Sequence, residues 1–270
     1  MDTTDRNRTS PFAFTGNKFE FRMLGSAISI SCPNIMLNTL AAEELRQFAD
    51  ELENSTDLEG DVRKLVRRVM KEHKRIIFNG DGYSEAWTEE AKRRGLLNLA
   101  TTVDALPRYL DQKNVQLFIR HKIYTEAEME ARYETILEEY SKTLNIESLT
   151  MSSMVRHDIL PAVSAYVASL AEAVNAKRNV CPNLACTAEV TLIEKLSSLM
   201  DEAFQKVEAL DTATADSKAE SYNALTAATY YKDVIIPAME GLRAVVDQME
   251  VDTASDFWPY PSYGDLMFKV

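Results

Sequence analysis

Five consecutive residues, Lys18-Phe19-Glu20-Phe21-Arg22, carry the strongest chemical signal in the chain. Charged and aromatic side chains alternate. On a strand this puts Lys18, Glu20 and Arg22 on one face and Phe19 and Phe21 on the other, with neighbouring charges within ~7 Å of each other. A carboxylate suits Mg²⁺ or Mn²⁺, and a guanidinium fork suits a carboxylate or a phosphate. The same alternation also describes a surface strand with a cross-paired row of charges, and spacing alone leaves both readings open. In either case the two phenylalanines are expected to anchor the strand in a core.

The elements around this segment change character quickly. Residues 17–31 read as two extended segments joined at Gly25-Ser26. Pro33-Asn34 then opens a helix to about Glu53, with Leu37, Leu40, Ala41, Leu45 and Phe48 at helical spacing. Thr56 and Glu59 have the spacing of a capping box before a second helix. That helix has the apolar stripe Leu58, Val62, Leu65, Val66, Val69, Met70 and a basic face of Arg63, Lys64, Arg67, Arg68, Lys71. A helix face alone does not converge on a phosphate, so the basic side reads as solvated or subunit-facing. Asn79-Gly80-Asp81-Gly82 predicts a tight turn, and it lacks the Lys-Ser/Thr of a phosphate loop.

Helices resume over Glu85 to Arg94. Thr125 and Glu128 form a second capping box, opening a helix to about Thr143, and a further helix spans roughly Ile146 to Ala176 with a kink expected at Pro161. Ile193, Leu196, Met200, Phe204, Val207 and Leu210 step by three or four residues. After a polar link at Asp211 to Ser217, so do Tyr222, Leu225, Ile235, Met239, Leu242, Val246 and Met249, with a bend expected at Pro237. Two such stripes predict an antiparallel helical hairpin, its methionines serving as core filler. The aromatic tail from Phe257 to Phe268 is expected to fold back and bury its rings. The fold class is therefore mainly α, with a short β segment at the N-terminus.

Composition narrows the function. The chain has 270 residues, 46% apolar and 27% charged, with a net charge of −12. That acidity argues against a nucleic-acid or anionic-membrane surface. There is no secretory leader pattern and no run of 18 apolar residues, and the chain is read as cytoplasmic. Cys32, Cys181 and Cys186 fit a reducing compartment; Cys181 and Cys186 lack the further ligands that a structural zinc requires. His73, His121 and His157 fall in no recognisable register with a nucleophile or paired carboxylate, and are read as surface or helix-face residues.

Longer strings carry a resemblance. The segment Asn7-Arg8-Thr9-Ser10-Pro11-Phe12-Ala13-Phe14-Thr15-Gly16-Asn17 running into Lys18-Phe19-Glu20-Phe21-Arg22 resembles the late active-site segment of glutamine synthetase, in its long type III branch. Similar matches follow in order at Lys74-Arg75-Ile76-Ile77-Phe78-Asn79-Gly80-Asp81-Gly82-Tyr83-Ser84, at Thr101 to Pro107, and at Trp258 to Leu266. The stretch Ala173 to Ser217 carries helical character without a signature.

The resemblance implies a reaction: ATP-dependent ligation of ammonia to glutamate through a γ-glutamyl phosphate, with Mg²⁺ or Mn²⁺. It implies that Glu20 is a metal ligand, that Arg22 lies near the transferred phosphate, and that Arg8 belongs to the nucleotide-phosphate site. The better-known bacterial enzymes carry a second arginine five residues after the first; here that position is Ala13, so only Arg8 is carried over. The family's N-terminal β-grasp domain, its other metal glutamates, its glycine loop and its ammonia-site aspartate would precede Asn7 in a whole enzyme. The expected division is 1–75, the end of the catalytic domain, and 76–270, a helical C-terminal region. The chain alone is expected to be inactive, and a whole enzyme to form stacked homo-oligomeric rings. The alternative is a helical scaffold or assembly piece without catalysis of its own.

Overall fold

The computed structural model describes residues 12–14, 18–22, 25, 28–78, 81–218 and 223–268. The architecture is mainly α, as the periodicities predict. Its one small sheet, among the described residues, is an antiparallel pair of β1 (Phe12–Phe14) and β2 (Phe19–Phe21), with Ala13 opposite Glu20. Where the second extended segment was expected before Pro33, Ile28 N–H donates to Gly25 O at 3.1 Å and a helix already begins at Ser31.

The chain forms two compact units, Met1–Glu130 and Ala131–Val270. In the first, α1 (Ser31–Leu52) and α2 (Leu58–Glu72) are tied by Arg68 on Glu51 at 2.5 Å. The cap of α2 is Asp57, whose carboxylate accepts from Gly60 N–H, in place of the expected Thr56. One residue of register decides this: Asp57 presents its carboxylate to the first turn, while Glu59 is used by Arg63 one turn on. Helices α3 (Glu85–Arg93), α4 (Thr102–Ala105) and α5 (Gln112–Arg120) follow. Val115, Phe118 and Met129 form a small core with Ile35, Met36 and Tyr109 against it.

The second capping box is present at the start of α6 (Glu126–Met154): Glu128 Oε2 accepts from Thr125 N–H at 2.8 Å, and Thr125 Oγ1 accepts from Glu128 N–H at 3.3 Å. The helix does not stop near Thr143. It continues through a π turn at Val155–Ile159 into α7 (Leu160–Val180). The π turn answers Pro161, because Leu160 N–H reaches back five residues to Val155 O and relieves the crowding that a proline ring imposes on the preceding turn. Pro237 is accommodated identically: α9 (Ala224–Tyr230) passes through a π turn at Tyr231–Ile235, with Ile236 N–H on Tyr231 O, into α10 (Ile236–Asp252). The long helix Glu126–Val180 holds an 18-residue window of mean hydropathy 1.3, enough by length and composition to cross a membrane. Val155, Ile159 and Val163 on it belong to the core.

Helix α8 (Thr187–Asp216) runs through the middle of this unit. The polar stretch Asp211 to Asp216, expected as a link, is its last turn and a half; the connection begins at Ser217. Its buried side, Leu196, Leu199, Ala203, Val207, Leu210 and Thr214, keeps the predicted period, but Phe204 lies half-exposed beside Arg156. Lys195 on Asp252 at one end and Tyr230 on Ala213 O at the other fix α8 and α10 as the predicted antiparallel pair. Leu196, Leu210, Ile235, Leu242 and Met249 are fully buried between them, each such side chain contributing ~1.5–3 kcal/mol. In the tail, Trp258 and Tyr260 pack on this core and Phe257 meets Tyr166, as expected; Phe268, at the end of α11 (Tyr263–Phe268), is exposed.

Candidate functional site

Glu20 and Arg22 project from one face of β2, as the alternation requires. Arg22 Nη2 donates to Glu20 Oε2 at 2.7 Å and Nε to the same oxygen at 3.2 Å. Both side chains are about one-third exposed. Their meeting is a consequence of period two: residues i and i+2 leave a strand side by side.

The other face departs from expectation. Phe19 is 58% and Phe21 38% exposed, and Phe12 stacks on Phe19 with ring centroids 4.7 Å apart. A two-stranded ribbon has no second layer of its own, so the rings cover one another rather than enter a core. Arg8 lies outside the described residues, as do Asn79 and Gly80 of the predicted turn.

Two arrangements in this unit were missed from sequence. The first surrounds Glu43 on α1, which is buried. Its carboxylate accepts from Arg46 (2.9 and 3.1 Å), from Gln47 (2.9 Å) and from Arg120 (2.5 Å), and His121 Nε2 lies 2.7 Å from Oε2. The Arg46 fork, then His121 and Gln47, hold the Glu43 carboxyl far below the ordinary carboxylate range. His121 is thus not the surface residue expected but a half-buried partner of a buried acid, joining the end of α5 to α1. The spacing Glu43, Arg46, Gln47, Asp50 was a readable ladder on α1; Arg120 and His121, some 77 residues away, gave no local sign.

The second is a clamp on the segment before the predicted turn. Phe78 and Trp87 stack at 4.1 Å, and Arg94 lies over both rings while donating to Ile77 O at 2.8 Å and to Glu90 at 2.5 Å. Gly95, at φ +73°, takes the left-handed conformation that ends α3 and lets Leu96 N–H return to Ala91 O, which fixes where Arg94 leaves the helix. Beyond the clamp, Asp81 Oδ1 accepts from Tyr83 N–H at 3.0 Å, so the aspartate builds the turn locally.

Among the described residues no group of three His, Cys, Asp or Glu side chains converges as a metal site. Glu20 fits a divalent ion as one hard oxygen ligand of a shared set, and Arg22 fits an anion beside it.

Residues 61–178 match the family described as glutamine synthetase C-terminal domain. Over 99% of its length the chain is 37% identical to the type-3 glutamine synthetase of Dictyostelium discoideum, covering 37% of that protein. It is 36% identical to a glutamine synthetase of Butyrivibrio fibrisolvens and 32% identical to one of Bacteroides fragilis (strain YCH46), covering 38% of each. Over nearly its whole length the chain is thus similar to glutamine synthetases, one of them named type-3. It spans little more than a third of the length of these relatives.

Proposed function

We propose that this chain supplies the late active-site strand and the helical C-terminal region of a glutamine synthetase, which joins ammonia to glutamate with ATP through a γ-glutamyl phosphate. The observation that carries the reading is the joint presentation of Glu20 and Arg22 on one face of β2, within the string most similar to the family's active-site segment. Glu20 holds one coordination position of Mg²⁺ or Mn²⁺. Bound there, such an ion neutralises phosphate charge. Arg22 orients Glu20 and offers its guanidinium to the transferring phosphate, whose charge it stabilises. Arg8 belongs to the nucleotide-phosphate contacts. The remaining ligands and the ammonia site come from the portion of the relatives that this chain does not span. The division is 1–75, catalytic, and 76–270, helical. The whole enzyme is cytoplasmic, binds no nucleic acid or membrane, and forms stacked homo-oligomeric rings.

Mn²⁺ titration of the complete enzyme, followed by electron paramagnetic resonance, tests the metal role. Glu20→Ala is expected to lose at least one bound ion per subunit; unchanged stoichiometry and affinity would remove Glu20 from the metal site.

A second reading, a helical assembly piece without catalysis of its own, is favoured by one observation. The largest core, between α6 and α10, is built wholly from helices of the second unit. Loss of turnover in a Glu20→Ala variant of the complete enzyme favours the first reading, and unchanged turnover the second.

A further inference from the structure

The connection between α7 and α8 carries two of the chain's three cysteines. Cys181 ends α7, because the following Pro182 cannot continue the helix and draws Cys181 into an extended conformation, φ −130° and ψ 89°. Pro182 and Asn183 form the middle of a tight turn, closed by Leu184 N–H on Cys181 O at 3.0 Å. From the last turn of α7, Arg178 donates to Leu184 O at 3.4 Å and to Ala185 O at 3.2 Å, which folds the connection back over the helix end. Cys186 opens α8 from the left-handed region, at φ +50°. Glycine adopts that conformation at less cost, so backbone ease does not account for a cysteine there. Cys186 is buried and Cys181 exposed.

Helix pairing brings the two cysteines to one place. The register is antiparallel: Arg156, earlier on the same continuous helix, holds Asp211 near the far end of α8 at 2.6 Å, and Lys177 is ion-paired with Glu189 near its start. Cys181 lies one turn after Lys177 and Cys186 one turn before Glu189, each on the same face as that neighbour. The next facing pair toward the connection is therefore Cys181 with Cys186. Lys177 gives separate support. Its ammonium is held above its ordinary value by Glu189 first and, in smaller part, by the Cys186 sulfur, which puts that sulfur within electrostatic reach of the same column. We propose that Cys181 and Cys186 are a reversible redox pair whose oxidant is a low-molecular-weight disulfide. The exposed Cys181 thiolate attacks one sulfur of that disulfide, forming a mixed disulfide and releasing one thiol. The buried Cys186 thiolate then displaces the second thiol from Cys181 and leaves a Cys181–Cys186 bond. Two protein thiols are oxidised and one external disulfide is reduced to two thiols, each leaving sulfur taking up the proton its attacker gave up. The bond ties the end of α7 to the start of α8. In a reducing compartment such a bond is transient, the usual form of a redox-sensing pair. The inference does not rest on the ligase reading.

Peptide mapping of the 270-residue chain after incubation in mixtures of oxidised and reduced glutathione tests this, with acid quenching, denaturation and alkylation of the remaining thiols. Trypsin leaves both cysteines on the peptide 179–195. As oxidised glutathione rises, the wild-type peptide is expected to take up neither alkyl group nor glutathione and to be lighter by two hydrogens than its reduced form. Excess dithiothreitol restores it. Cys186→Ser is expected to stop at one glutathione on Cys181, because nothing resolves the mixed disulfide. Cys181→Ser is expected to keep Cys186 free for alkylation at the same ratios, because the buried sulfur does not meet the oxidant first. Cys32, exposed on α1, reports on a separate peptide. Wild-type chain that keeps both thiols at every ratio, or that holds glutathione on Cys181 beside a free Cys186, overturns the proposal. So does linkage of 179–195 to a second chain, or glutathione on Cys186 in Cys181→Ser at the ratios that oxidise the wild type.

Discussion

Arg22 places two guanidinium nitrogens on one oxygen of Glu20, at 2.7 and 3.2 Å, across a single strand repeat. A carboxylate, which suits a cation, and a guanidinium, which suits an anion, are thus held side by side. In the complete enzyme, Arg22→Ala should leave metal stoichiometry intact and lower the turnover number about a hundredfold, the ~3 kcal/mol lost with one donor to transferring charge. Steady-state kinetics with parallel Mn²⁺ titration would check this. Loss of metal in Arg22→Ala would mean that the arginine acts only by holding Glu20.

The exposed aromatic face makes a different demand. A buried Phe21 would lose roughly 3–5 kcal/mol on truncation. Because Phe21 is 38% exposed in this chain, Phe21→Ala should cost less than ~1.5 kcal/mol in urea unfolding of the chain alone. A larger loss would show that the ribbon carries more of the fold than its accessibility indicates.

Acid sensitivity should be concentrated in the first unit. Arg93 and then Arg94 hold the Glu90 carboxyl down to about 2 from an ordinary value of 4.5. Glu90 therefore contributes stability that is complete above pH 4.5 and is lost as pH falls toward 2. Glu43, held lower still chiefly by Arg46, loses its contribution over the same range and beyond. Carboxyl carbon shifts followed by NMR should give Glu90 a midpoint near 2. A midpoint near 4.5 would contradict the clamp geometry.

A buried polar chain in the second unit gives a stability test. Tyr231 Oη donates to Asn145 Oδ1 at 3.1 Å and lies 3.0 Å from Ser217 Oγ, and Thr214 Oγ1 donates to Ser148 Oγ at 3.3 Å. Tyr231→Phe keeps the ring, takes the donor from Asn145 Oδ1 and leaves Ser217 Oγ with Thr214 O, so it should destabilise the chain by ~1–3 kcal/mol in urea unfolding. Truncating a fully buried neighbour, Leu242→Ala, should cost ~2–5 kcal/mol. A neutral Tyr231→Phe would mean that the network is not coupled to folding.

Much of this organisation is legible in the residues. The helical stripes locate α1, α2, α8 and α10, and the Thr125/Glu128 pair marks the start of α6 to the residue though not its end. Alternation alone places Glu20 and Arg22 together. What was not legible is non-local. The burial of Phe19 and Phe21 depends on a second layer, which two strands do not provide. The partners of Glu43 come from a helix far along the chain. Proline at 161 and 237 announces disturbance but not its form; the π turn is chosen because Val155, Ile159, Tyr231 and Ile235 stay buried with the helix unbroken. Asp211 reads as loop because it is polar, yet on α8 it accepts from Ser152 at 2.5 Å and from Arg156 at 2.6 Å.

The most direct measurement is glutamine formation from glutamate, ammonia and ATP with Mg²⁺, run on three samples: the 270-residue chain alone, the complete enzyme that contains it, and the complete enzyme with Glu20→Ala. The account predicts no product above background from the chain alone, turnover by the complete enzyme, and loss of that turnover in Glu20→Ala. Glutamine formation by the chain alone, or a Glu20→Ala enzyme that turns over like the wild type, would contradict it.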